Sequence, residues 1–175
     1  ATEKCIAGFT LEAFYAKLND AFILENIGED EFGEIFEKQN GSDANVKGVT
    51  LELRANFNKK LQLETGYTIQ SSKYDEAVTY IDGVAPTVNF LRTPNHYGFG
   101  MATFTPTKNW NFNLNFVYTG TMELAHFAGA PNQTIDEMVE TRPFWEFNTK
   151  IGYILESEKL GFDLEIYGGI KNIFN

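Results

Sequence analysis

Two histidines, His96 in "TPNHYG" and His126 in "ELAHFAG", are the residues with the most chemical reach in this sequence. Each falls near the loop end of an extended stretch, where an imidazole could meet a haem iron or another metal. Neither stands in an H-x-x-x-H or Cys/His spacing, so a plain hydrogen-bonding surface role is the stronger reading, and no metal site is assigned. Tyr74, Tyr80, Tyr97, Phe127 and Trp145 lie toward the same end and could line a site for a flat or greasy ligand. The alternative for Tyr97 and Trp145, and the favoured one, is an interfacial aromatic girdle. His96, His126, Tyr74, Tyr80, Tyr97 and Phe127 are therefore the candidate substrate-contacting set.

The stretch "ENIGEDEFGEIFEK" (25–38) carries six carboxylates and one lysine. It lacks the alternating oxygen ligands and central glycine of a calcium loop, and reads as a solvated loop. No G-x-S-x-G, no H-E-x-x-H and no Ser/His/Asp set is present, so no catalytic residue and no cofactor are assigned, and the chain is read as a non-enzyme. Cys5 has no second cysteine to pair with and is expected to be an ordinary half-buried residue. Fourteen basic against twenty-four acidic side chains give a net charge of -10 with no basic stripe, which argues against nucleic acid as a partner.

The elements that position these residues follow from period-two patterning. In "NWNFNLNFVYTG" (109–120), Trp110, Phe112, Leu114, Phe116 and Tyr118 alternate with Asn111, Asn113, Asn115 and Thr119. The runs 49–57 and 61–69 alternate likewise and are separated by Asn58, Lys59 and Lys60, a hairpin connection. With "GFTLEAFYAKLNDAFIL" (8–24) first, a strand ending near Phe104, "FWEFNTKIGYIL", and "GFDLEIYGGIKNIFN" last, the pattern predicts seven antiparallel strands and no helix. Connections at 58–60, 105–110 and 156–161 are short, and those at roughly 26–44, 72–96 and 121–142 are long and polar. All short turns thus fall at one end of an up-and-down meander.

No run of 18 apolar residues exists, which excludes a transmembrane helix. Strand runs of about 10 to 14 residues exceed the five or six usual in soluble sheets and match a tilted bilayer crossing. The expected class is all-β, an antiparallel transmembrane β-barrel segment whose aromatics and leucines face lipid and whose asparagines face a wet lumen. Leu63, Leu114 and Ile151 are placed on the lipid face, and Glu52, Arg54 and Glu64 on the polar one. The competing expectation is a soluble or surface barrel or sandwich that turns the same apolar face inward around a small apolar ligand.

Several motifs carry a resemblance. "GVTLELRANFNKKLQLETGYTIQSSKY" resembles a late barrel hairpin of the TonB-dependent outer-membrane receptors, with G-x-x-L-E-L, a short turn and a strand ending in G-Y-T. "FLRTPNHYGFG", "FVYTGTM", "FWEFNTKIGY" and "GGIKNIFN" follow in the family's order, and the last is similar to its penultimate strand. The resemblance covers essentially all of residues 1–175 and is particularly to receptors of the Bacteroides group. It implies about seven strands of a 22-stranded barrel, with the plug domain and the final strand outside this sequence. The start "ATEKCIAGF", with neither initiator Met nor signal peptide, fits a processed or excised piece. The resemblance further implies the bacterial outer membrane and uptake of a scarce bulky nutrient such as a ferric siderophore, haem or cobalamin, with TonB supplying energy through the plug. Implied partners are outer-membrane lipid, the rest of the receptor, TonB, the transported nutrient and a surface lipoprotein.

Overall fold

The computed structural model describes residues 4–129, 133–156 and 161–174, and every regular element in it is a strand. In chain order these are β1 (Cys5–Leu18), β2 (Phe22–Asp30), β3 (Gly33–Asn40), β4 (Ala44–Phe57), β5 (Leu61–Val78) and β6 (Thr87–Asn89). There follow β7 (His96–Phe104), β8 (Trp110–Thr119), β9 (Glu123–His126), β10 (Glu137–Glu140), β11 (Phe144–Leu155) and β12 (Leu164–Ile170). The main sheet runs β1-β4-β5-β7-β8-β11-β12, each strand antiparallel to its neighbours, with β6 appended to β5. This is the seven-stranded meander the alternation predicts. Its two ends do not meet, since β1 pairs only with β4 and β12 only with β11 among the described residues.

The short turns are built as the sequence suggests. Asn58 and Lys59 both hold positive φ, 52° and 60°, and the Lys60 amide donates to the Phe57 carbonyl at 2.9 Å. Two successive left-handed residues give the turn a twist that matches the strands it joins. The 157–159 turn lies outside the described residues, as does Asn132 in the last long connection.

At the other end the sequence reading needs correction. The first strand does not run unbroken from 8 to 24: β1 stops at Leu18, Asp20 turns at φ 52°, and a new strand starts at Phe22. The Asn19-Asp20 pair is the cause, because such side chains tolerate the left-handed region and terminate pairing. The acidic stretch 25–38 is no loop but most of the β2–β3 hairpin, closed by Gly33 at φ 124° and by the Phe32 amide donating to Asp30 Oδ1 at 2.8 Å. A second hairpin, β9–β10, rises from the last long connection. β5 runs 18 residues, well past the predicted 69, and its upper part stands in the same loop zone.

The described residues form no conventional core. Only Ala44, Val78 and Ile81 are buried among the described hydrophobic residues, and the chain exposes 12751 Å². A compact monomer of this mass exposes roughly 8,600 Å². Leu51, Leu53, Tyr67 and Leu114, which a soluble sandwich or lipocalin-like barrel would turn inward, are between 41% and 46% exposed. The sheet is a wall, and its stabilisation comes from the backbone ladder and cross-strand side-chain pairs rather than from an interior. Cys5, expected to be half-buried, is exposed at the start of that wall.

Candidate functional site

The register sorts side chains onto two faces. Leu51, Tyr67, Gly98, Tyr118 and Trp145 lie opposite one another across five strands, so they share a face. The next steps down that face are Leu53, Thr65, Gly100, Phe116 and Phe147, and then Ala55, Leu63, Ala102, Leu114 and Thr149. Ile151 follows below on the same side, paired with Phe112. The face is apolar over its central span apart from Thr65 and Thr149, whose hydroxyls bond to backbone carbonyls, and it is bounded by aromatics at both ends. Tyr118 and Trp145 lie 4.5 Å apart at the long-loop end, and Trp110 and Tyr153 lie 4.7 Å apart at the short-turn end. From Trp110 to Tyr118 is about 26 Å along the strand, or roughly 20 Å after a 40° tilt, close to the apolar band of a membrane barrel.

The opposite face is polar and internally bonded. Arg54 reaches Glu52 at 2.9 Å and Glu64 at 3.2 Å, as the sequence pairing predicts. Thr50 and Thr68 hydroxyls meet at 2.9 Å, Thr103 donates to Asn113 at 3.0 Å, and Asn148 donates to both Asn115 and Glu146. The asparagines between the aromatics of β8 are therefore rungs of a cross-strand amide ladder. Half-exposed charges in such a row contribute little stability each, on the order of 0 to 1 kcal/mol. Their consequence is a wettable wall.

The candidate residues divide between these faces and the loops. His96 pairs with Ile69 and stands on the apolar side, its ring 5.6 Å from Tyr118 and 6.4 Å from Tyr67. Its Nδ1 is covered and has no hydrogen-bond partner among the described residues. Tyr97, one residue on, pairs with Thr68 and Thr119 on the polar side. Tyr97 thus does not join the aromatic row of the apolar face, where His96 stands instead because successive strand residues point oppositely, whereas Trp145 does stand in that row beside Tyr118. His126 is exposed on β9 opposite Glu137, in a different sheet from His96 of β7. No cluster of three His, Cys, Asp or Glu side chains able to hold a metal occurs among the described residues.

Tyr80 and Phe127 come together at the long-loop end, where a cup of about 780 Å³ opens between three connections. Ile23, Leu24 and Phe36 of the β2–β3 hairpin form one wall, the stretch after β5 another, and Phe127 with Asp136 the third. Tyr74 stands behind it, its ring 4.4 Å from Phe90. Burial, then the hydrogen bond that the Tyr80 hydroxyl donates to Tyr74, and the charges of Tyr74 and Glu123 push the Tyr80 phenol well above the usual tyrosine range. Glu76, Asp82 and Asp136 line the cup, and no Lys or Arg is among its described lining residues.

Glu123 ties the connections to one another. Its carboxylate accepts from Thr87 Oγ1 at 2.9 Å and Asn89 Nδ2 at 2.8 Å, and its carbonyl accepts from the Arg92 amide at 2.9 Å. The sequence reading missed this latch and the hairpin wall. A weak signal existed in the alternation of Phe22 with Leu24 and in the isolated carboxylate of "GTMELAHF", but dense acids and glycines hid both.

The family model described as "TonB dependent receptor-like, beta-barrel" matches residues 6–173. Among solved structures, the chain is similar to the ferric-catecholate import receptor Fiu from K12 E. coli, with a TM-score of 0.64 and 16% identity over 96% of this chain and 21% of that one. It is also similar to the siderophore receptor PirA from Acinetobacter baumannii, with a TM-score of 0.66 and 14% identity over 97% of this chain and 26% of that one. At these identities the likeness is one of fold, and the chain spans about a quarter or less of either receptor. No curated protein matches it.

Proposed function

The chain belongs to the TonB-dependent receptor-like β-barrel family, and on that premise we propose that it forms part of the wall and the cargo-facing loops of an outer-membrane transporter taking up a scarce bulky nutrient. The apolar face contacts lipid and the polar face borders the lumen. β1 and β12 continue the barrel by pairing with further strands, because an unpaired edge in lipid costs several kcal/mol per backbone group. The short turns are periplasmic and the long connections extracellular. Energy arrives from TonB through a plug that sits against the polar face.

The observation that carries the reading is the cup at the extracellular end of a two-faced wall. At about 780 Å³ it falls in the size range of small-molecule sites. Tyr80, Phe127 and Phe36 offer it ring faces, while Glu76, Asp82 and Asp136 give it negative charge without a cation opposite. That balance favours a neutral or cationic cargo, such as a cobalamin or an uncharged ferric chelate, over a multiply anionic one.

Uptake by cells that depend on the full receptor tests this. Radiolabelled neutral and anionic ferric chelates and cobalamin are supplied in turn, with and without a proton-motive-force uncoupler. The reading expects energy-dependent accumulation of a neutral or cationic compound, and exclusive uptake of a trianionic chelate would reject the cargo assignment.

A further inference from the structure

Above the apolar face, at the long-loop end, three neighbouring strands change character at the same level. Tyr15, Lys47 and Ser71 are register partners across β1, β4 and β5, and Asn45 with Lys73 lies one pair-step higher on the same side. Directly below are Ala13, Val49 and Ile69, the top of the apolar band. Tyr15, Asn45, Lys47, Ser71, Lys73 and Asp75 enclose a hollow of about 350 Å³.

The charges in this hollow are unevenly matched. Tyr15 donates to Asn45 Oδ1 at 2.6 Å, and Asn45 donates to Asp75 Oδ1 at 2.5 Å, so the one acid of the rim is held by a neutral amide and stands against two lysines. Lys17 nearby is held by Asp43 at 2.8 Å. Lys47 and Lys73 make no ion pair among the described residues, in a chain whose net charge is -10. Two ammonium groups against one carboxylate therefore leave the hollow with a net positive charge over a greasy surface, on the same side of the wall as the apolar band.

Building on the membrane placement proposed above, we propose that Lys47, Lys73 and Ser71 form a site for the phosphate of a lipid headgroup in the leaflet on the long-loop side. The lysines and the Ser71 hydroxyl donate to the phosphate oxygens, and the acyl chains run down past Val49, Leu51 and Ile69. A lipid fits better than a soluble anion because the cationic hollow and the apolar strip are continuous. A free phosphate would use only the first.

The test is native mass spectrometry of the full receptor released from nanodiscs of mixed phosphatidylcholine and phosphatidylglycerol, counting retained lipids. Wild type should retain phosphatidylglycerol preferentially. Each lysine near an anionic lipid surface contributes on the order of a fivefold preference, so Lys47→Gln/Lys73→Gln should reduce it roughly 25-fold. Lys59→Gln/Lys60→Gln, at the opposite end, should leave it unchanged. Equal retention in both double variants, or complete displacement of the lipid by excess inorganic phosphate, would overturn the site. Failure of the wild-type receptor to enter nanodiscs at all would instead reject the membrane placement on which the site rests.

Discussion

The His96 ring lies 5.6 Å from the Tyr118 ring and 19° from parallel, so a residue with the chemistry of a ligand is stacked into the outer aromatic row of the wall. The neighbouring Tyr97 faces the other way. His96→Phe should therefore leave cargo binding within about twofold of wild type, whereas Tyr97→Ala is expected to alter passage or plug contact. Binding titrations of the two variants in detergent decide it, and a larger loss in His96→Phe would return that histidine to the cargo site.

The faces carry an energetic asymmetry. Leu114→Arg puts a cation near the middle of the lipid side and should cost about 2 to 4 kcal/mol, while Asn113→Arg enters the wet amide row and should cost under about 1 kcal/mol. Urea unfolding of the full receptor in liposomes measures both, and equal costs would undo the assignment of faces.

Much of this was legible in sequence because one signal, strict alternation, sets strand number, facing and order together. The seven main strands, the Arg54 ion cluster and the placing of Leu63, Leu114 and Ile151 together on the apolar face all follow from it. What alternation cannot show is which of two adjacent residues takes which face at a strand end, and so Tyr97 was expected in the girdle that His96 fills. Nor does it survive dense acids, where the β2–β3 hairpin reads as a loop. The cup arises from hairpins distant in sequence, and no local pattern announces such a meeting.

Within the cup, Tyr80 and Phe127 supply ring faces from different connections. Replacing either by Ala should weaken cargo binding about 5- to 50-fold, with the barrel's thermal stability changed little, since neither residue belongs to the main sheet. Isothermal titration with the transported compound gives the ratio, and unaltered affinity in both variants would remove the cup from the binding site.

The Glu123 latch makes a separate claim. Glu123→Ala leaves the Thr87 and Asn89 side chains without their shared acceptor, a local loss of about 1 to 3 kcal/mol. The expected sign is faster protease cutting within 79–95 on intact cells, at unchanged barrel stability. Cutting at the wild-type rate would show that β6 is held by other contacts.

Orientation can be read by labelling. Cysteines at Lys59 and Lys108 should resist an impermeant reagent on intact cells, while cysteines at Asp82 and Phe127 should react. The reverse pattern would invert the wall.

The central claim is that one face of β8 meets lipid and the other meets water. Nitroxide labels placed singly from Trp110 to Thr119 in the full receptor, reconstituted in bilayers, test it by their collision rates with oxygen and with a water-soluble nickel complex. The account predicts a period of two, with 110, 112, 114, 116 and 118 favouring oxygen and 111, 113, 115, 117 and 119 favouring nickel. A flat profile, or the opposite phase, would contradict it.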